Sequence, residues 1–194
     1  MEHSDLRRFI YIPTIISGRI KLRRILKTDL DDVYEYASDP ATSEYLLWSP
    51  HPTKSFTKKY LDHIDKKYKH GEFYDWGIEI EGKMIGTCGF TSFSIENNSA
   101  EIGYVLNKRY WGCGIAAEAT RMVMKYGFTE LKLNRIEAKY MVENDSSRRV
   151  MEKCLMKPEG VLRASIYSKK QYRDIGIYSI LHEEYFKCRA EGLI

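Results

Sequence analysis

Apolar positions recur along the chain with two alternating periods, and the change of period marks out its elements. In "GRIKLRRI" Ile20 and Leu22, then Ile25, stand against basic residues, which predicts a strand. "TDLDDVYEYASDP" follows with Leu30, Val33, Tyr34 and Ala37 at helical spacing. Thr28 suits the N-cap, Asp29 and Asp31 suit the positive end of the dipole, and Pro40 suits the stop. After the turn-rich "TSEYLLWSPHP", the segment "SFTKKYLDHIDKKYKHG" sets Phe56, Tyr60, Leu61, Ile64 and Tyr68 on one side of a second helix that Gly71 ends.

The period then shortens to two. "DWGIEIEGKMIGTCGFTSF" predicts a hairpin turning at Glu81 and Gly82, and "AEIGYVL" a further strand. "GIAAEATRMVMKYGF" returns to helical spacing at Ile115, Ala119, Met122, Val123 and Tyr126. "RIEAKYMV" alternates as a strand, "DSSRRVMEKCLM" predicts a short helix, and "GVLRASIYS" with "RDIGIYSILHEEYF" predicts a closing strand pair. The order is a strand, helices, a meander, then helix, strand, helix and two strands. It implies one α/β domain: a mixed, mostly antiparallel sheet of about seven strands flanked by about four helices. Residues 15–187 form this domain, residues 1–14 an N-terminal extension and residues 188–194 a tail.

Composition narrows the function classes. With 194 residues, a formal net charge of +4 and no basic block, the chain carries no nucleic-acid footprint. Cys88, Cys113, Cys154 and Cys188 lie far apart, and the histidines form no HExxH pattern, so no metal site or disulfide framework is expected. The opening "MEHSDLRRFIYIPTIISG" has an apolar run that is short and broken by Pro13. It reads neither as a signal peptide nor as a membrane span, which implies a cytoplasmic protein with no membrane partner.

The segment "RYWGCGIAAEA" is the strongest candidate for chemistry. Gly112 and Gly114 allow positive φ and close backbone approach, and a helix follows whose first N–H groups lack partners. Such a spot binds phosphate. A Walker loop would need a lysine after Gly114, and none is there. A dinucleotide turn would follow its strand directly, whereas Asn107 to Trp111 intervene after Leu106.

The longer frame, "AEIGYVL" then Arg109-x-x-Gly112-x-Gly114 then a helix, resembles the acyl-CoA pyrophosphate loop of the GNAT superfamily of N-acetyltransferases. "RIKLRRILKTDLDDVYEYASDP", "MIGTCGF" and "RIEAKYMVENDSSRRVMEKCLMKPEGVLR" resemble further blocks of its ribosomal-protein alanine N-acetyltransferase branch, RimJ and RimL, over roughly residues 15–187. The resemblance implies acetyl-CoA as cosubstrate, with no metal, and a direct ternary-complex transfer to a primary amine. The amine would be a protein N-terminal α-amine, or else a small one such as a polyamine, amino acid or antibiotic. A non-catalytic acyl-CoA-binding protein is the rival class, and an oxidoreductase a distant third. The protein would be a monomer or a homodimer.

Carried over residue by residue, the resemblance gives a candidate site. The pyrophosphate would bind the loop that opens at Arg109, cradled by backbone N–H groups from Tyr110, Trp111, Gly112, Cys113, Gly114, Ile115 and Ala116. Val105 and Leu106 would offer backbone groups to the pantetheine arm beside Gly103. Asn144 would touch that arm, and Ser147 would donate to the leaving thiolate; both residues also suit a plain helix cap. Glu101 stands where several GNAT enzymes carry their base, and equally reads as a strand carboxylate paired with a lysine. Trp48, Tyr74, Trp76 and Tyr167, with Tyr45 and Phe73, are candidates for the acceptor wall or for core. Three departures stand out: Met151 where many members have a tyrosine acid, Cys154-Leu155-Met156 where Leu-Gly-Phe is usual, and Ile166 where some carry a carboxylate.

Overall fold

A computed structural model describes residues 12–71 and 74–194 of the chain. The elements in order are β1 (Ile15–Ser17), β2 (Ile20–Arg23), α1 (Leu30–Ala37), α2 (Pro40–Ser43), α3 (Lys54–His70), β3 (Tyr74–Ile80), β4 (Lys83–Ser94), β5 (Ser99–Leu106), α4 (Ile115–Thr129), β6 (Arg135–Met141), α5 (Asp145–Lys153), β7 (Lys157–Ser168), β8 (Gln171–Leu181) and α6 (His182–Ala190). One mixed sheet of eight strands runs β1-β2-β3-β4-β5-β6-β8-β7. Every pairing is antiparallel except β5 with β6.

The expected α/β domain is therefore present, with one strand more than the pattern showed. β1 is only three residues long and borrows its partner from β2, so it leaves no alternation to read. The first helix starts later than expected. Thr28 lies in a 3₁₀ turn over Lys27–Asp29, and the Asp29 carboxylate accepts the Leu26 N–H at 2.7 Å while pairing with Arg23. The end of the chain also differs. "HEEYF" is not strand but the start of α6, because Glu184 reaches back to the Leu181 N–H at 3.0 Å and Tyr185 turns into the core. Most of the N-terminal extension, and Phe73, lie outside the described residues.

Residues directly opposite in an antiparallel ladder share a face. Trp76 and Cys88 form one such pair, and both pack toward α4: Trp76 meets the Tyr126 ring at 5.4 Å, and Cys88 Sγ lies 3.8 Å from the Thr120 hydroxyl. The other face is covered by α1 and α3. There Asp32 accepts the Met84 N–H at 2.9 Å, and the Tyr68 hydroxyl accepts from Ile25 N–H and donates to the Asp75 carbonyl. α3 is closed at both ends, by the Thr53 hydroxyl on Phe56 N–H and by Gly71 in the left-handed region.

After α5, where the resemblance puts a glycine, the left-handed cap is kept. Leu155 itself takes the left-handed conformation, φ 59°, and Met156 N–H bonds back to the Met151 carbonyl. The cap is built by a leucine at a conformational cost of about 1–2 kcal/mol. Among the described residues no helix is long and apolar enough to cross a membrane.

Candidate active site

β5 and β6 pair over only three positions, Ser99 to Glu101 against Arg135 to Glu137. β5 nevertheless continues to Leu106 and β6 to Met141, on to other partners. The two strands splay in the middle of the sheet. Past Glu101 the β5 edge facing β6 carries main-chain donors and acceptors with no strand to satisfy them, in the stretch that holds Gly103, Val105 and Leu106. An extended ligand with amide groups can complete that ladder.

The wedge opens toward the glycine loop. Asn107 starts it by accepting the Arg109 N–H at 3.0 Å, which sets a 3₁₀ turn over Lys108–Tyr110. Trp111 donates its indole N–H to the Leu106 carbonyl at 2.8 Å. Gly112 and Gly114 then take φ 76° and 78°, and Gly114 is the N-cap of α4. A Cβ on Gly112 would meet nothing within 4 Å, so glycine is needed there for its dihedral and not for protein packing. Among the described residues, no acceptor is found for the N–H groups of Cys113, Gly114, Ile115 and Ala116, whereas those of Tyr110 and Trp111, also expected in the cradle, bond the Asn107 and Lys108 carbonyls. Open donors at the positive end of a fifteen-residue helix fit a pyrophosphate.

Two side chains brace this loop, one of them unforeseen. Arg19, in the turn between β1 and β2, donates to the Cys113 carbonyl at 2.8 Å and pairs with Glu118 at 2.7 Å. The Arg109 guanidinium points to α1 and pairs with Glu35 at 3.1 Å. Glu35 also receives Lys83 and Asn107, and the Lys83 ammonium first of all holds its carboxyl below the usual range. Nothing in the local spacing of Arg19 signals its role; only the fold brings it across 94 residues.

At the other side of the wedge, Asn144 caps α5 by accepting the Ser147 N–H at 3.1 Å. The Ser147 hydroxyl lies 2.9 Å from the Tyr104 hydroxyl, which is also 2.9 Å from the Ser147 carbonyl. A phenol has one proton. Spent on the carbonyl, it obliges the Ser147 hydroxyl to be the donor in the other bond. Burial pushes the Tyr104 phenol up, so it stays protonated. Tyr104 was not among the expected site residues, although its alternation in "AEIGYVL" puts it on the α4 and α5 side of β5. Met151 is buried in the core.

Glu101 stands where β5 and β6 part. Its carboxylate is ion-paired to Lys139 at 2.7 Å, and Lys139 also reaches Glu137 at 3.2 Å. The aromatic candidates scatter. Trp48 packs against His51, with ring centroids 5.7 Å apart. Tyr74 meets Phe93 at 4.7 Å and bonds the Gly71 carbonyl. Trp76 is 1% exposed and donates to the Pro13 carbonyl, on the face away from α1 and α3. Tyr167 is 63% exposed and touches Tyr172 near the tip of the β7–β8 hairpin. The structure does not bring these four together. Among the described residues no three acidic, cysteine or histidine side chains gather as a metal site would need.

Comparison with known proteins gives the following. The family pattern described as acetyltransferase (GNAT) domain matches residues 19–157. An uncharacterized N-acetyltransferase p20 of Bacillus licheniformis is 35% identical over 174 residues, covering 89% of this chain and 98% of its own. Spermidine N(1)-acetyltransferase of Escherichia coli is 25% identical, over 86% of this chain and 88% of its own. The crystal structure of a GNAT-family acetyltransferase from Bacillus anthracis superposes with a TM-score of 0.79 at 32% identity, covering 89% of this chain and 100% of that one.

Proposed function

The chain belongs to the acetyltransferase (GNAT) family, and from that premise we propose that it moves the acetyl group of acetyl-CoA directly to a primary amine, with the α-amine of a protein N-terminus as acceptor. One observation carries this reading: the splayed strands β5 and β6 lead straight to a loop of unpaired N–H groups at the start of α4. The first feature suits a pantetheine arm and the second its pyrophosphate.

Acetyl-CoA supplies an activated carbonyl when bound. Backbone groups of Val105 and Leu106 hold the arm, and Asn144 flanks it. The neutral amine attacks the carbonyl carbon above Gly103; the C–N bond forms, the C–S bond breaks, and one proton leaves the nitrogen. Glu101 is the proposed acceptor of that proton, through water, once its pairing with Lys139 opens. Ser147 donates to the sulfur as thiolate forms. Its own proton can turn there if Tyr104 turns its proton to the Ser147 oxygen, so the two hydroxyls act in series.

An α-amine titrates near ~8 and a lysine side chain near ~10.4, so the α-amine gives up its proton more readily at neutral pH. The relationship to spermidine N(1)-acetyltransferase supports a second reading, a small aliphatic amine. The experiment is thiol release from acetyl-CoA with a panel of N-terminal peptides, internal-lysine peptides and small amines, with product masses measured. Turnover on α-amines supports the first reading and turnover on small amines alone the second. Coenzyme binding without turnover on any amine would overturn both.

A further inference from the structure

β3, β4 and β5 place Asp75, Gly89 and Gly103 opposite one another in a single row across the sheet. Two of the three residues have no side chain, so nothing of their own stands between the Asp75 carboxylate and the backbone of Gly103. Asp75 Oδ1 lies 2.8 Å from where a Cβ on Gly89 would stand, so the carboxylate leans from β3 toward Gly89. The next strand is one spacing away, about 5 Å. A nitrogen in hydrogen-bond contact with Oδ1 on that side therefore sits over Gly89, beside Gly103. Above Gly103 itself, a Cβ would meet one atom within 4 Å, the methyl of Thr91. Thr91 is the exposed, bulged residue of β4, held by a long 3.3 Å bond to the Glu101 carbonyl, so its rotation would free the space above Gly103.

The carboxylate has no cation of its own. Among the described residues Oδ1 is sealed from solvent and has no hydrogen-bond partner, although the residue as a whole is only half-buried. No lysine or arginine pairs with it among the described residues, although the structure ties most other acidic side chains to a base. Its neighbours are neutral: Thr87 on β4, Tyr36 on α1, and Tyr60 and Tyr68 on α3. Burial pushes the carboxyl up to about 7. A sealed carboxylate oxygen left without a partner is costly, and one beside aromatic rings is suited to a small cation.

We propose that Asp75 is the acceptor-binding residue of this enzyme: it takes a hydrogen bond from the acceptor's primary ammonium and holds that nitrogen beside Gly103, where it attacks once it has lost a proton. The proposal rests on the acetyl-transfer reading above and deepens it. The primary ammonium is the shared chemistry of a peptide N-terminus and of a small alkylamine, and the test separates the two sources.

Asp75→Asn keeps the shape and removes the charge, and Asp75→Ala serves as a second variant. Acceptor and acetyl-CoA kinetics are measured with an N-terminal-alanine hexapeptide and with n-butylamine, and coenzyme A binding by calorimetry confirms the fold. The expected result is a rise of about 30-fold or more in the KM of whichever acceptor is used, as for loss of one partner of a buried charge pair. Coenzyme A affinity stays within about twofold, because its loop lies elsewhere. Acceptor KM values unchanged in both variants, or a fall in kcat alone, would overturn the proposal while leaving the enzyme an acetyltransferase. If the wild type binds coenzyme A and acetylates neither amine, the acetyl-transfer reading fails by itself. The site is then judged by melting temperature of the coenzyme A complex: n-butylammonium chloride raising it in wild type beyond a sodium chloride control, and not in Asp75→Asn, supports the site, and equal responses overturn it.

Discussion

The bond between Tyr104 and Ser147 allows stability and catalysis to be separated in one set of four proteins: wild type, Tyr104→Phe, Ser147→Ala and the double variant. Ser147→Ala removes one hydroxyl and with it the 2.9 Å contact to Tyr104. The helix cap survives, because Asn144 accepts from the Ser147 main chain, which alanine keeps. Tyr104→Phe removes the same contact together with the bond to the Ser147 carbonyl. Each hydrogen bond contributes about 0.5–1.5 kcal/mol. Ser147→Ala should therefore cost about 1 kcal/mol and Tyr104→Phe about twice that, with the double variant no worse than Tyr104→Phe alone. For a chain of this length 1 kcal/mol moves the melting temperature by roughly 2–4 °C. Thermal and denaturant unfolding of the four proteins gives the coupling directly. Catalysis should divide differently. Both single variants lower kcat, Ser147→Ala the more, since it removes the donor nearest the sulfur. Strictly additive stabilities would refute the shared bond, and a Ser147→Ala enzyme with full kcat would refute its part in thiolate departure.

Four further outcomes are expected. Gly114→Val forces a β-branched residue into φ 78° and should cut coenzyme A affinity about 10-fold or more, by an unpaired phosphate contact of about 1–3 kcal/mol, with calorimetry as the check. Arg19→Ala should raise the acetyl-CoA KM and leave kcat alone, since Arg19 braces the loop from outside; a changed kcat would count against it. Glu101→Gln should lower kcat by about 10²–10³-fold if Glu101 is the base, and full kcat from pH 6 to 9 would leave it a strand carboxylate paired with Lys139. Asp75 gives a pH signature of known sign. Its carboxyl is raised to about 7 in the folded protein from about 4 unfolded, so its protonated form favours folding at acid pH and that stability fades as pH rises from about 4 through 7, by about 4 kcal/mol at most. Asp75→Asn should flatten that slope in denaturant unfolding, and an unchanged slope would contradict it.

The parts of the fold legible in the sequence are those with long, regular patterns. α3, α4 and the β3–β5 meander could be read from spacing alone, because the helices are 17 and 15 residues long and the strands are long and set off by the turn at Glu81 and Gly82. Shorter or irregular elements could not. β1 is too short to alternate, and α6 follows β8 with no breaking residue, so its first turn reads as more strand. Tyr34 and Phe56 fall on apolar stripes, but the core takes Tyr36 and Thr57 in preference. The glycine loop was legible because two glycines in a turn before a helix are a backbone requirement visible in the letters. Arg19, Tyr104 and Asp75 were not, because each acquires meaning from a partner dozens of residues away. The aromatic residues misled for a general reason: an aromatic side chain fills a core as readily as it lines a pocket, and Trp76 fills the core.

The splay of β5 from β6 also has a consequence in time. Interior strands of an eight-stranded sheet ordinarily guard their amide protons for as long as the whole domain stays folded. Between Ile102 and Leu106, however, the amides aimed at β6 have no strand carbonyl among the described residues to hold them. Those alternate protons should trade with solvent deuterium within seconds, while their neighbours, bonded to β4, keep theirs for hours. Coenzyme A would then be the missing neighbour, and its arrival should be readable as a slow clock starting at positions that had none.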